Sequence, residues 1–184
     1  SGNWKTINFE NVTSVTKLRQ QKAFYYETEL NTIAGTDKDR LECRKNFENY
    51  LKMKSKKNNS HSNNNSNNSN IGLEDLISKT RKALQQKSDS MLSVINLEWA
   101  VTNSVSNIFN NCIALIDTSG SMENDDADGY TPLNAAIGLG LRIAEGSSLG
   151  RRLLTFSSKP TWLNLNDCAK LTDMVNKILS TETF

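Results

Sequence analysis

Asp117, Ser119 and Ser121 stand at positions i, i+2 and i+4 of the run Asp117-Thr118-Ser119-Gly120-Ser121-Met122. A carboxylate and two hydroxyls at that spacing on a tight turn can converge on one point. Gly120, between them, would permit close backbone approach. Hard oxygen donors of this kind suit Mg²⁺ or Mn²⁺, with water completing an octahedron. Only one negative charge lies in the set, so a bound ion stays electrophilic and open to a carboxylate from a partner. A plain Ser/Gly turn that caps the following helix accounts better for Asp-x-Ser taken alone; the whole six-residue run reverses that. The position of the run favours the metal: it follows the apolar stretch Cys112–Ile116 and precedes a helical pattern.

Other chemistries fare worse. Asn124, Asp126, Asp128 and Gly129 imitate the first half of a calcium loop. The twelfth position of that loop is Ala135, where a bidentate Glu is required. An acidic solvated loop is expected instead, one that repels acidic partners. Asp117 as a phosphoryl-accepting nucleophile lacks its general acid, because Ser119 occupies the place of a second Asp. The single histidine, His61, lies in an Asn/Ser tract, which excludes a Ser-His-Asp or Cys-His triad within these 184 residues. No Gly-x-x-x-x-Gly-Lys loop offers a nucleotide site. Cys43, Cys112 and Cys168 are too far apart for a CxxC zinc site and odd in number, so a reducing, cytoplasmic setting is expected. Cys112 reads as a small core residue, and Trp99 and Trp162 as core anchors.

The elements that position the motif follow from periodicity. Cys112–Ile116 is a continuous apolar run ending at Asp117, as expected of a central parallel strand covered on both faces. A helix from Pro132 to about Glu145 carries Leu133, Ala136, Ile137, Leu139, Gly140 and Ile143, with Pro132 in its first turn and Thr131 or Asp128 as cap. Strands over 152–156 and 161–165 flank Pro160, and a helix capped by Asp167 carries Leu171, Met174, Val175 and Ile178. Strand, loop, helix, strand, strand, helix is the first half of an open α/β sheet, so the domain is expected to continue beyond Phe184.

The part before the sheet reads as all-helical. Val15, Leu18, Ala23, Tyr26, Leu30 and Ile33 suggest one helix, and Thr36, with Asp39 three residues on, suggests a cap for a second. That second helix would bury Leu41, Phe47, Tyr50 and Leu51. It ends in Lys52, Lys54, Lys56 and Lys57, a charge run that suits a solvated helix C-terminus and is the candidate for nucleic-acid contact. Helical spacing resumes at Leu73, Leu76, Ile77 and Leu84, and again at Leu92, Ile95, Trp99 and Thr102. The expected organisation is a helical segment 1–57, an Asn/Ser-rich disordered insert 58–70, a helical segment 71–108 leading into the sheet, and half of an α/β domain over 109–184.

Composition agrees. Hydrophobic residues make up 36%, and eight of the 24 asparagines fall in residues 58–70, where a chain cannot bury enough apolar surface to offset its ordering. Residues 1–57 carry 12 basic against 7 acidic side chains, and residues 91–184 carry 6 against 10, so the two ends are expected to do different work. No apolar stretch is long enough to span a membrane. The amino end has neither the charge nor the apolar core of a signal peptide and lacks Met, as an excised segment would.

Asp117–Met122 after Ile113–Ile116 resembles the metal-ion-dependent adhesion site of von Willebrand factor type A domains. The segments SVTKLRQQKAF (14–24), NLEWAVTNSV (96–105), PLNAAIGLGLRIAE (132–145) and LLTFSSKPTWLNL (153–165) resemble proteins grouped as domain of unknown function 2828. Those combine a helical region with a type A domain and are distantly similar to the Ro ribonucleoprotein autoantigen. The resemblance implies a Rossmann-like type A sheet, a non-enzymatic binding module, and Asp117, Ser119 and Ser121 as ligands to Mg²⁺ or Mn²⁺. It also implies a Thr and an Asp ligand from later elements past Leu179, so metal affinity within these residues is expected to be weak. Thr131 precedes the first helix and is expected to cap it rather than to ligate. Gly120, Thr131, Asp126 and Asp128 are the residues expected to surround the ligands. The implied partner is a protein presenting an acidic group. RNA binding through the basic stretch 44–57, prompted by the Ro resemblance, and a scaffold with a vestigial metal motif are the competing expectations. Asn-rich inserts suit an AT-rich genome, such as that of a protist or a large DNA virus, and the latter would admit a virion location.

Overall fold

The computed structural model describes residues 2–59, 71–101, 109–124 and 131–181. The expectations for residues 60–70 of the Asn/Ser insert, for 102–108, and for Asp126, Asp128 and Gly129 fall outside them, while Asn58 and Asn59, expected in the insert, continue a helix. The chain divides into two compact units, each drawn from two stretches: Ser1–Asn70 with Lys87–Thr102, and Ile71–Gln86 with Asn103–Phe184.

The first unit is helical. It holds α1 (Ser14–Arg19), α2 (Gln21–Tyr25), α3 (Lys38–Asn59) and α5 (Asp89–Val101), with α4 belonging to the second unit. Its core is aromatic: Phe47, fully buried, meets Phe9, Phe24, Tyr25 and Tyr50 with ring centroids 4.7 to 6.3 Å apart. Aromatic pairs in such tilted and edge-on arrangements add to the area that they bury. Cys43, Leu51, Val94, Ile95, Leu97 and Trp99 are also buried in this unit, Trp99 as expected of a core anchor. Two charged groups are buried with them. Lys17 donates from Nζ to the Tyr50 hydroxyl at 2.7 Å, and Glu98 lies on α5. Burial pushes the Lys17 amine down and the Glu98 carboxyl up from their ordinary values.

Three expectations for this unit need correction. The helix does not run from Ser14 to Ile33: it breaks at Gln20, and Tyr26 takes a left-handed conformation (φ 54°). The Thr28 hydroxyl accepts from the Leu30 amide at 3.2 Å, Asn31 is left-handed (φ 59°), and Glu27 bridges Ile33 in antiparallel fashion. Thr and Asn side chains offer the backbone a turn in place of a helix. Leu30, 84% exposed, gives the helix no apolar face to bury. Asp37 rather than Thr36 caps α3, its Oδ1 accepting from the Arg40 amide at 3.1 Å, while the Asp39 carboxylate accepts from the Trp4 amide at 2.7 Å. Cys43 takes the core place expected of Leu41, which is half-buried.

The second unit is α/β. It contains α4 (Leu73–Gln85), β1 (Ala114–Asp117), α6 (Pro132–Gly146), β2 (Arg152–Phe156), β3 (Thr161–Asn164) and α7 (Leu171–Leu179). The sheet order is β1-β2-β3, with β1 parallel to β2 and β2 antiparallel to β3. A parallel pair needs a crossover, and α6 supplies it. Pro132 stands in the first turn of α6, and the Thr131 hydroxyl accepts from the Asn134 amide at 3.3 Å, the cap that the sequence suggests. Ala114, Ile116, Leu153 and Leu163 are buried with Leu133, Ile137 and Leu141 of α6 and Leu171, Met174, Val175 and Ile178 of α7. Gly140 lets α6 close on β1: a Cβ there would meet Ile116 Cδ1 at 2.4 Å. Gly138 does the same toward α4, where a Cβ would lie 2.9 Å from Leu73 Cβ.

The sheet departs from expectation on its other face. Leu115, Leu154 and Trp162 stand in register across the three strands. Leu115 is 61% and Trp162 52% exposed. β1 is covered on one face and stands at one end of the strand order among the described residues, and Trp162 is not a core anchor. Cys112 is exposed too, because the chain turns at Phe109–Asn111 and the strand starts only at Ala114. Asp167 does not cap α7. Its carboxylate accepts from Lys177 Nζ at 2.8 and 2.9 Å, and Lys170 takes the cap position, its amide donating to Asp173 Oδ2 at 3.2 Å.

Candidate metal centre at the end of the first strand

Asp117 is the last residue of β1 and pairs with Phe156 of β2. The chain leaves the strand on a tether, since the Thr118 amide (2.8 Å) and hydroxyl (3.1 Å) both donate to the Phe156 carbonyl. The Ser119 amide then turns back and donates to Asp117 Oδ1 at 2.9 Å. Residues Gly120–Glu123 form one 3₁₀ turn, closed by the Met122 amide on the Ser119 carbonyl at 2.9 Å. This turn brings the Ser119 and Ser121 hydroxyl oxygens to 3.2 Å from each other.

Those distances fit a small hard cation. Two neighbouring ligands at about 2.0–2.1 Å from an octahedral ion stand roughly 3 Å apart. The serine oxygens are already near that separation, and Asp117 is oriented beside them through Ser119. The hydrogen bonds from Ser119 hold the Asp117 carboxyl below the usual carboxylate range, so it is ionised and acceptor-only at neutral pH. Ser119, Gly120 and Ser121 are reached by solvent, whereas Thr118 is buried, so the tether lies inside and the donors outside. Among the described residues no cluster of three His, Cys, Asp or Glu side chains is placed to hold a metal. The donor set here is one carboxylate and two hydroxyls.

Gly120 behaves differently from its expected role. Its φ is not positive, and a Cβ on it would have no neighbour within 4 Å. The turn does not demand glycine, and a side chain here would point into open space. Thr131 is a helix cap and buried.

One group at this loop gave no sequence signal. Arg81 of α4 forms an ion pair with Glu123, at the end of the 3₁₀ turn, and donates from a second nitrogen to Asn134 Oδ1 at 3.0 Å. Arg81 and Glu123 are 42 residues apart. Only the packing of α4 against α6 brings them together.

The basic run of α3 is less uniform than its sequence. Lys54 pairs with Glu10 at 2.7 Å, and Lys52 and Lys56 are exposed. Lys57 lies in α3, but its side chain is outside the described set. Both aromatic residues of α3, Phe47 and Tyr50, are buried; Lys54 lies 5.8 Å from the centre of the Tyr50 ring, but neither ring has a face open to solvent for base stacking. No helix among the described residues is long and apolar enough to cross a membrane.

The described architecture is thus a mixed α/β chain: a helical unit, and an open three-stranded sheet with its candidate site at a strand end. Residues 111–183 match the model of a family described as a domain of unknown function (DUF7788). That stretch runs from the turn before β1 to just past α7 and includes the whole Asp117–Met122 run. No curated protein matches the chain, and no solved structure does.

Proposed function

We propose that this chain is a binding module rather than an enzyme, with a sheet of the von Willebrand factor type A kind. In this reading it engages a protein partner through a divalent cation held by Asp117, Ser119 and Ser121. The observation that carries the reading is the 3.2 Å separation of the Ser119 and Ser121 hydroxyl oxygens beside an ionised, solvent-facing Asp117 at a strand end. Open α/β sheets bind ligands at the carboxyl ends of their strands. Mg²⁺ or Mn²⁺, when bound there, supplies a Lewis-acidic position for an acidic group of the partner. Asp117 brings the single negative charge, the serines bring neutral donors, and the Thr118 tether to Phe156 keeps the donor turn attached to the sheet. The competing RNA reading has less support, because both rings of α3 are buried and offer no open face to a base.

The test is isothermal titration of Mg²⁺ and Mn²⁺ into the chain, with Asp117→Ala beside it. Saturable binding that the variant loses while its circular dichroism is unchanged is the expected result. Equal binding by both proteins would mean that the ion sits elsewhere.

A further inference from the structure

We infer that Arg81 is the positioning residue of the donor turn, a clamp that fixes where Ser121 stands. The guanidinium has two anchors. One is Glu123, two residues after Ser121 and the last residue of the 3₁₀ turn; the other is Asn134 in the first turn of α6. Asn134 is itself buried, with its amide held by the Thr131 hydroxyl, so the second anchor is fixed. Arg81 is mostly buried, on a helix packed against α6 through Gly138.

The donor turn therefore has two attachments. At its start, Thr118 is bonded to the Phe156 carbonyl of β2. At its end, Glu123 is held by Arg81. Without the second, the turn rests on the Met122 amide bond to Ser119 and a long Asn124 amide bond to the Ser121 carbonyl at 3.4 Å. A planar guanidinium spanning two acceptors suits this task, because its donors lie in a fixed fork, which a lysine ammonium lacks. The clamp also occupies the carboxylate of Glu123, the acid nearest Ser121 in sequence, by pairing it with a residue of α4.

The affinity arm of the test rests on the metal reading above; the exchange arm does not. Arg81→Gln, Glu123→Gln and the double variant are compared with the parent chain. Glu123→Gln changes a partly exposed side chain and guards against a folding defect in Arg81→Gln. The first readout is amide hydrogen exchange at Met122 and Asn124, the two amides that close the turn, in metal-free protein. The second is Mg²⁺ affinity by titration. Both single variants should exchange faster at these two amides and bind Mg²⁺ about tenfold more weakly, the usual scale when a group that orients a ligand is removed. The double variant should be no worse than either, because both changes break one link.

Unchanged exchange in both single variants overturns the clamp, whether or not metal binds. If the parent binds Mg²⁺ and both variants bind it equally well, the clamp is overturned and the metal reading stands. Tighter binding by Arg81→Gln alone would make Glu123 a ligand in waiting and also overturns the proposal. If no protein binds metal, the metal reading fails, and faster exchange in both variants still supports the clamp.

Discussion

The contact between α4 and α6 is close enough to require glycine against helix backbone, and Gly138→Ala probes it. A Cβ at this position would stand 2.9 Å from Leu73 Cβ and 3.3 Å from the carbonyl carbon and oxygen of Leu73. None of these atoms can rotate away, because two are backbone and the third is fixed to it. Carbon atoms rest comfortably at about 3.5–4.0 Å, so the helices must part by roughly 0.5–1 Å. Overpacking of that kind costs about 1–3 kcal/mol. Alanine in a helix interior returns about 0.5–1 kcal/mol relative to glycine. The clash wins, and the net loss is about 1–2 kcal/mol. For a chain of this size that lowers the melting temperature by about 2–8 °C. Urea unfolding followed by circular dichroism gives the free energy directly. Gly120→Ala is the control: its Cβ would meet nothing and its φ is not positive, so its stability should stay within about 0.5 kcal/mol of the parent. A Gly138→Ala protein as stable as the parent would show that the two helices do not approach this closely.

Two further predictions concern pH. Burial, reinforced for Tyr25 by Glu48 and for Tyr50 by Glu10, pushes both phenols up to about 12. A group raised in the folded state stabilises below its unfolded value and loses that contribution as pH climbs, here between 10 and 12, by about 2–3 kcal/mol for each phenol. Phenolate absorbance, compared with Tyr25→Phe and Tyr50→Phe, should show these two phenols titrating late, with urea midpoints falling over the same window; either of them titrating near 10 would refute the packing of the aromatic core. For Asp117 the direction is reversed. Its carboxyl is held low by Ser119, so the stabilisation exists above the ordinary carboxylate value and is lost only as pH falls through the depressed one. Carboxyl NMR of metal-free protein should place its midpoint below 3.8 and move it upward in Ser119→Ala, and an unmoved midpoint would remove Ser119 as the cause.

Elements whose residues speak locally were legible in the sequence. Of Leu73, Leu76, Ile77 and Leu84, whose spacing marks α4, Leu76 and Ile77 are buried, and Pro132 with Thr131 marks the start of α6. The strand at 152–156 emerged at its expected bounds. Where two local signals competed, the reading failed. Asp37 and Thr36 are both good caps, and only the bonds that Trp4 and Lys5 make to Asp39 show why the helix begins where it does. Leu30 and Ile33 fit a helical stripe, but periodicity does not tell that no core lies beneath it. Leu115 and Trp162 read as interior for the same reason: burial belongs to what packs on a residue, not to the residue. At the site, the spacing of Asp117, Ser119 and Ser121 announced a converging turn. The Thr118 tether rests on the Phe156 carbonyl, and the Arg81 clamp spans 42 residues, so neither leaves a trace in local sequence.

The order in which the units take up the chain has a consequence for anyone who would cut it. Residues 1–70 must await 87–102 to complete their core, and 71–86 are made before the sheet that they join. During synthesis Phe47 and its neighbours emerge before Val94, Ile95 and Trp99, and Leu76 and Ile77 wait, solvent-exposed, for α6 and α7. No single cleavage point yields two whole halves. A fragment trimmed to 111–183 would discard α4 and uncover the sides of α6 and α7 that pack against it, so the smallest piece to carry the sheet unit whole starts near Ile71.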